Sequence, residues 1–312
     1  MLARRLTEDA DVSVLLLEAG GRDNSIFIHM PAALAKPLAN DKYNWFYHSE
    51  PEPHVNNRRM YCPRGRVIGG SSSINGMVYV RGHARDYDRW AQGGLKGWDY
   101  AHVLPYFRKA ETYQRGGDDY RGDSGPLNVS AGACENPLFQ AWIEAGRQAG
   151  YPVTQDMNGF QQEGFAHMDM TVHNGRRWSC AVAYLKPVME RPNLTVWTRA
   201  LTTRVIIEKG RAVGVELAKG KEKIEVLAQR EVILSGGAIN SPQVLLLSGI
   251  GPADEIREHG IPVVHDLPGV GRNLQDHLEV YIQHACTQPI TLYPALKFWN
   301  QPKIGFDWLF FK

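Results

Sequence analysis

Several features that would place a chain outside the ordinary globular enzymes are missing here. Only four of the 312 residues are cysteine. Cys62, Cys134, Cys180 and Cys286 lie far apart, without metal-ligand or redox-pair spacing, and read as reduced core thiols. A disulfide framework and a zinc site are both excluded on that count, and no metal is expected. Charge of one sign is lacking too. Lys and Arg number 35 against 33 Asp and Glu, and no basic block stands out, so nucleic-acid binding has no electrostatic support. No apolar run approaches the ~20 residues needed to cross a bilayer. No internal repeat is visible. Asn128-Val-Ser and Asn193-Leu-Thr match the glycosylation pattern, but no secretory signal accompanies them, so they read as chance matches. What the chain does have is glycine, 31 residues of it, with eight tryptophans and 43% hydrophobic residues. That composition suits a globular core wrapped closely around a bound molecule.

The most informative stretch is Arg64-Gly-Arg-Val-Ile-Gly-Gly-Ser-Ser-Ser-Ile-Asn-Gly-Met77. Apolar pairs bracket its glycines and serines, which a flexible linker would not show. Gly69 and Gly70 remove Cβ atoms where the backbone must approach something flat or anionic. The serines at 71–73 can cap a helix whose free N–H groups attract phosphate, and the spacing predicts that this helix opens at Ile74. Gly76 leaves room on one face. A second stretch, residues 231–251, predicts a short buried strand, a glycine turn, and a helix with Ser241 as N-cap and Pro242 in the first position. Val244 to Leu247 is apolar all round, as in a buried helix, and Ser248-Gly249 ends it.

Residues 1–6 look like the last turns of an amphipathic helix, 7–11 like a polar turn, and 12–17 like a strand ending at Glu18-Ala-Gly-Gly21. An acidic residue at the tip of a second strand is the ribose-binding position of a dinucleotide fold. Helical spacing over 81–109 reads as packing, and 136–149 as an amphipathic helix beginning near Pro137. Residues 192–198, 204–207 and 212–217 predict strands, with the charge cluster 219–223 at a hairpin tip.

Both glycine-rich stretches resemble the signatures of the glucose–methanol–choline (GMC) oxidoreductases, flavoenzymes that oxidise alcohols. The first runs from Gly65 through Asn75, Tyr79 and Gly82 to Asp88. The second carries Gly237-Ala238, Ser241-Pro242 and Ser248-Gly249-Ile250-Gly251. The resemblance implies a mixed α/β fold, a Rossmann-like FAD domain whose parallel sheet is interrupted by an excursion into an antiparallel substrate domain. It implies a flavin domain over 1–134 and 192–284, an excursion over 135–191, and the start of the main substrate domain over 285–312.

By resemblance, FAD contacts fall to Glu18, Arg64, Gly65, Val67, Gly69, Gly70, Ser71, Ser72, Asn75, Gly76, Met77, Val78, Val205 and Gly237. Val205 would pair through its backbone N–H and C=O with adenine. The aliphatic Ile74 stands where some relatives carry a flavin-linked histidine, so FAD should be non-covalent. Residues 30–34, 43–45, 78–83, 156–165 and 273–277 look closest to choline-oxidising members. Such members hold a carboxylate against the trimethylammonium group, a role that falls to Glu279, and Trp45 could offer it an aromatic face. Choline is then the expected alcohol, with another alcohol as the alternative, and the electron acceptor is left open. An NAD-dependent dehydrogenase is disfavoured.

Counting back from Glu18 puts the G-x-G-x-x-G turn just upstream of Met1, and 307–312 stop amid apolar residues. The chain is expected to match the N-terminal half of the family's architecture. The resemblance implies that the catalytic histidine, and its histidine or asparagine partner, lie beyond Lys312. None of the 11 histidines falls in the context of that base, and none is assigned as one. By itself the chain is expected to bind FAD weakly and to leave choline unoxidised, or to act as a fragment associating with a longer relative. Choline-oxidising members of this type are mitochondrial in animals and membrane-associated in bacteria.

Overall fold

The computed structural model describes residues 1–277 and 279–311. Lys312, beyond which the catalytic pair is expected, lies outside the described residues. Helices and sheets are interspersed along the chain, which makes the fold α/β as expected. Two compact units are formed. The first joins Met1–Val14, Arg22–Leu194 and the segment from Ala285; the second joins Leu15–Gly21 with Thr195–His284.

In the first unit, the helix Leu2–Leu6 is anchored by its arginine rather than by a buried apolar face. Arg4 Nη1 donates to the Ala183 carbonyl (3.0 Å), and Arg191 Nη1 donates to that of Arg4 (2.8 Å). The polar turn after it is held by Asn193, whose Nδ2 donates to the carbonyls of Thr7, Asp9 and Val12. The second sequon is thus committed to the fold. A four-stranded sheet runs in the order Val78–Tyr79, Asp169–Met170, Leu127–Ala131, Glu111–Tyr113, with only the last pair parallel. The helices Ala84–Gln92 and Tyr100–Ala110 pack through aromatic edges, Tyr87 meeting both Trp90 and Phe107. The helix Pro137–Gln148 starts at an Asn136 cap, whose oxygen accepts the Leu138 N–H (2.9 Å).

One cluster in this sheet was not legible in the sequence. Arg121 and Glu111 are wholly buried and paired at 2.9 Å, and Arg121 also reaches Asp156 and Asp169, each at 2.7 Å. Arg81 contacts Glu111 from another side (2.7 Å), while Asn158 bonds Asp169 and the Tyr79 carbonyl. The Arg121 guanidinium lies 3.5 Å from the Tyr113 ring centroid. Each buried charge here has a partner, which is the condition for keeping it out of water.

The second unit is built on an antiparallel meander, Leu201–Glu208, Arg211–Lys219 and Glu222–Leu227. Its hairpin tips fall at Lys209-Gly210 and at Gly220, all with positive φ, as tight two-residue turns require. The second tip sits inside the predicted charge cluster. Val14–Glu18 pairs with Leu194–Thr198, and Leu17 and Trp197 pack on a core of Ala200, Val215 and Leu217.

Three expected elements differ. No helix follows Ser73; Gly70–Ser73 is itself one 3₁₀ turn, after which Met77 adopts φ 65° and the chain enters the strand Val78–Tyr79. Residues 231–235 have no ladder partner among the described residues, so they form no strand, although Val232 still packs on the core. The following helix is Gly237–Leu247, five residues earlier than the Ser241 cap implied, with Gly236 at the cap and Pro242 inside. Ser241 acts differently, its Oγ accepting the Gly236 N–H (2.9 Å). None of that helix is buried, although its apolar sequence suggested so. It does end at Ser248-Gly249, where Gly249 takes φ 80°.

Candidate functional site

The glycine-rich stretch folds as a closed loop stapled by its own side chains. A Cβ on Gly65 would collide with the Gly70 carbonyl, so glycine at 65 is demanded by the loop itself. Gly69 (φ 91°) is confined in the same way by Ser73 and Ala181. Gly70 differs: it has φ 57° and nothing within 4 Å of where its Cβ would point, and Gly76 is equally open. These two positions expose bare backbone, the surface a planar or anionic ligand can approach.

The serines are occupied within the fold. Ser71 Oγ accepts the Gly65 N–H, Ser72 Oγ donates to the Gly69 carbonyl and accepts the Cys180 N–H, and Ser73 Oγ donates to the Ile68 carbonyl. A cofactor at Ser72 would therefore meet backbone rather than hydroxyl. Val67 and Ile74 are core residues, packed with Ile28 and at most 1% exposed. Arg64 donates to the Pro63 carbonyl and takes Asn44 Oδ1 on its backbone N–H. Asn75 is exposed, and its Oδ1 accepts the Met77 N–H (3.1 Å), a turn that holds Met77 in the left-handed region. Val78 is 47% exposed beside it. The geometry thus brings Gly65, Gly69, Gly70, Ser71, Ser72, Asn75, Gly76 and Met77 onto one loop.

Three further assigned residues, Glu18, Val205 and Gly237, belong to the second unit. Glu18 ends its strand as expected, and its Oε1 accepts the Gly20 N–H (2.7 Å), so the carboxylate is oriented by the turn that follows. Gly237 opens an 11-residue helix with φ 87° and an open Cβ side. Its N–H groups and dipole end suit an anion. Val205 departs from expectation. Its N–H donates to Ser248 Oγ (2.8 Å) instead of being available to adenine, because Ser248 at the helix end reaches across to the strand.

The substrate residues also differ from what the resemblance implied. Glu279 is exposed rather than buried, and accepts a hydrogen bond from Tyr281 Oη (2.7 Å), which holds that phenol above its usual pKa. Trp45 already carries a cation: the Arg66 guanidinium lies 5.3 Å from its ring centroid, and Tyr47 stacks on it at 5.8 Å. That arrangement gives no support to Trp45 as a face for a substrate ammonium.

The glycine loop with an open face in the first unit, and the acidic strand tip and glycine-initiated helix in the second, are each features that occur in nucleotide-cofactor proteins of the α/β class. The profile of the GMC oxidoreductases matches residues 15–279, and the chain belongs to that family. Mitochondrial choline dehydrogenase of Mus musculus is 60% identical over 316 aligned residues, covering 99% of this chain and 53% of that protein. Oxygen-dependent choline dehydrogenase of Brucella anthropi is 55% identical, covering all of this chain and 56% of its own length. The chain thus spans about half the length of these relatives. Among solved structures, pyridoxine 4-oxidase from Mesorbium loti superposes with a TM-score of 0.82 at 36% identity, covering 88% of this chain and 54% of that one. An R554K variant of Aspergillus oryzae formate oxidase superposes at 0.81 with 32% identity, covering 88% and 50%. No helix among the described residues is long and apolar enough to cross a membrane.

Proposed function

We propose that this sequence forms the cofactor-holding half of an FAD-dependent alcohol oxidoreductase whose substrate is choline and whose product is betaine aldehyde. The observation that carries the reading is the identity to choline dehydrogenases, maintained over nearly the whole chain. The open Cβ sides of Gly70 and Gly76 leave bare loop backbone that a flavin can approach, since no neighbouring atom fills that space. Backbone at 65–78 would meet the flavin, and Glu18 would accept from ribose hydroxyls. When bound, FAD supplies the hydride acceptor for the alcohol carbon. This chain's residues supply position: the loop fixes the cofactor, and Glu279 attracts the quaternary ammonium by charge. None of the histidines present is proposed as the base, a role the family resemblance gives to a residue beyond Lys312.

FAD is proposed to be held without a covalent bond. Ile74 is aliphatic and 1% exposed, so it offers neither a nucleophile nor access. Denaturing the holoenzyme should release all flavin into the filtrate; a flavin-linked peptide spanning 64–78 would contradict this. In an animal the location is proposed to be the mitochondrion, and in a bacterium the membrane or cytoplasm.

The substrate is tested in a polypeptide of the relatives' length. Choline added without oxygen should bleach the flavin, and Glu279→Gln should raise KM for choline about tenfold or more while flavin content is kept. A different alcohol is the second reading. It is favoured by the exposure of Glu279 and by Arg66 on Trp45, and unchanged choline kinetics in the Gln variant would support it.

A further inference from the structure

Arg177 is 1% exposed and forms no ion pair among the described residues. Burial alone pulls its pKa down to about 10, so it remains a cation at neutral pH. Its partners are oxygens of peptides and one carboxamide. Nε donates to the Ile28 carbonyl (2.8 Å), and Nη1 donates to the carbonyls of Ser72 (3.2 Å) and Asn75 (2.7 Å) and to Asn75 Oδ1 (2.8 Å). Nη2 has no partner among the described residues. An uncompensated buried cation is costly to keep, and here it is directed at the glycine-rich loop.

The consequence falls on Asn75. Its Oδ1 accepts from both Arg177 Nη1 and the Met77 N–H (3.1 Å), which uses both lone pairs of an amide oxygen. Flipping the carboxamide would set its NH2 group against a cation and an N–H donor. The NH2 group is therefore fixed on the other side, at an exposed position on the loop. A neighbouring positive charge also polarises the amide and makes that NH2 a stronger donor.

We propose that Arg177 is a positioning residue that locks Asn75 with its NH2 group presented outward, as a hydrogen-bond donor to an acceptor atom of the flavin ring. The inference rests on the reading that FAD lies along this loop.

The test uses the full-length enzyme, stripped of flavin and titrated with FAD, with the visible flavin spectrum recorded at saturation. Asn75→Asp keeps the acceptor that Arg177 and Met77 need, but replaces the donor by an oxygen. Its melting temperature should hold, its Kd for FAD should rise about tenfold, and its flavin bands should shift. Arg177→Lys cannot satisfy the same set of acceptors. It should weaken FAD about fivefold when Asn75 is present and less than twofold in an Asn75→Ala background. Equal weakening by Arg177→Lys in both backgrounds would overturn the proposal, as would an Asn75→Asp variant with wild-type affinity and spectrum. If Arg177→Lys does not fold, the Asn75→Asp arm decides alone. Gly70→Ala separates this inference from the reading beneath it. If FAD does not lie on the loop, Gly70→Ala leaves affinity untouched; if only the positioning role is wrong, Gly70→Ala weakens FAD while Asn75→Asp does not.

Discussion

Glycines that look alike in the sequence do unlike work. Gly65 is required by its own loop, since a Cβ there meets the Gly70 backbone, whereas Gly70 faces open space. Gly65→Ala should therefore cost about 1–3 kcal/mol of stability, the range for overpacking a tight site. Gly70→Ala should cost only about 1 kcal/mol, for placing alanine at φ 57°, yet weaken FAD more than Gly65→Ala weakens it relative to stability. Thermal melts and flavin titrations on the two variants check this. At this scale the sequence was informative about where the loop is, because glycine and serine spacing is a local property. It was silent on Arg177, whose partners Ile28, Ser72 and Asn75 lie 102 to 149 positions away in the chain. It was silent too on the Ser248 partner of the Val205 N–H and on the exposure of Glu279, because whether an N–H is free or a carboxylate buried depends on neighbours brought in by packing.

Among the elements, strands and hairpins with strong alternation were legible. The strands expected at 204–207 and 212–217, the hairpin tip after them, the strand Val14–Glu18 and the helix Pro137–Gln148 follow from apolar period and a Pro-started helix, whereas the third meander strand Glu222–Leu227 was not expected. Each misread element has its own cause. Residues 231–235 have strand-forming side chains, but a strand exists only through a paired ladder. The helix Gly237–Leu247 starts early because Gly236 turns the chain before Ser241 can cap it. The charged cluster across the four-stranded sheet was invisible for a different reason: Arg81, Glu111, Arg121, Asp156 and Asp169 come from separate segments with no spacing rule linking them. Glu111 faces two arginines and takes the Gly122 N–H (3.0 Å). Glu111→Gln should destabilise the first unit by about 3–5 kcal/mol, because it leaves buried guanidinium charge uncompensated. Chemical denaturation would show it as a lower midpoint at constant slope, and an unchanged midpoint would remove the cluster from the stability account.

For the molecule as a whole, acid stability gives a signed expectation. Burial pulls the His29 pKa below 6.5, Lys186 adding to it, while Asp23 opposes through its charge and its carbonyl on Nε2 (2.7 Å). The folded form thus binds a proton less readily than the unfolded chain. Stability is fully present above pH 6.5 and falls as the pH drops from there through the lower folded value. The melting temperature should decline over that window, and His29→Gln should flatten that part of the decline. The central claim is that the loop 65–78 of the first unit lies against bound FAD. Hydrogen exchange on the full-length protein, with and without saturating FAD, tests it most directly. Slowed exchange at 67–77 is the expected result; protection confined to other segments, with this loop unchanged, would contradict it.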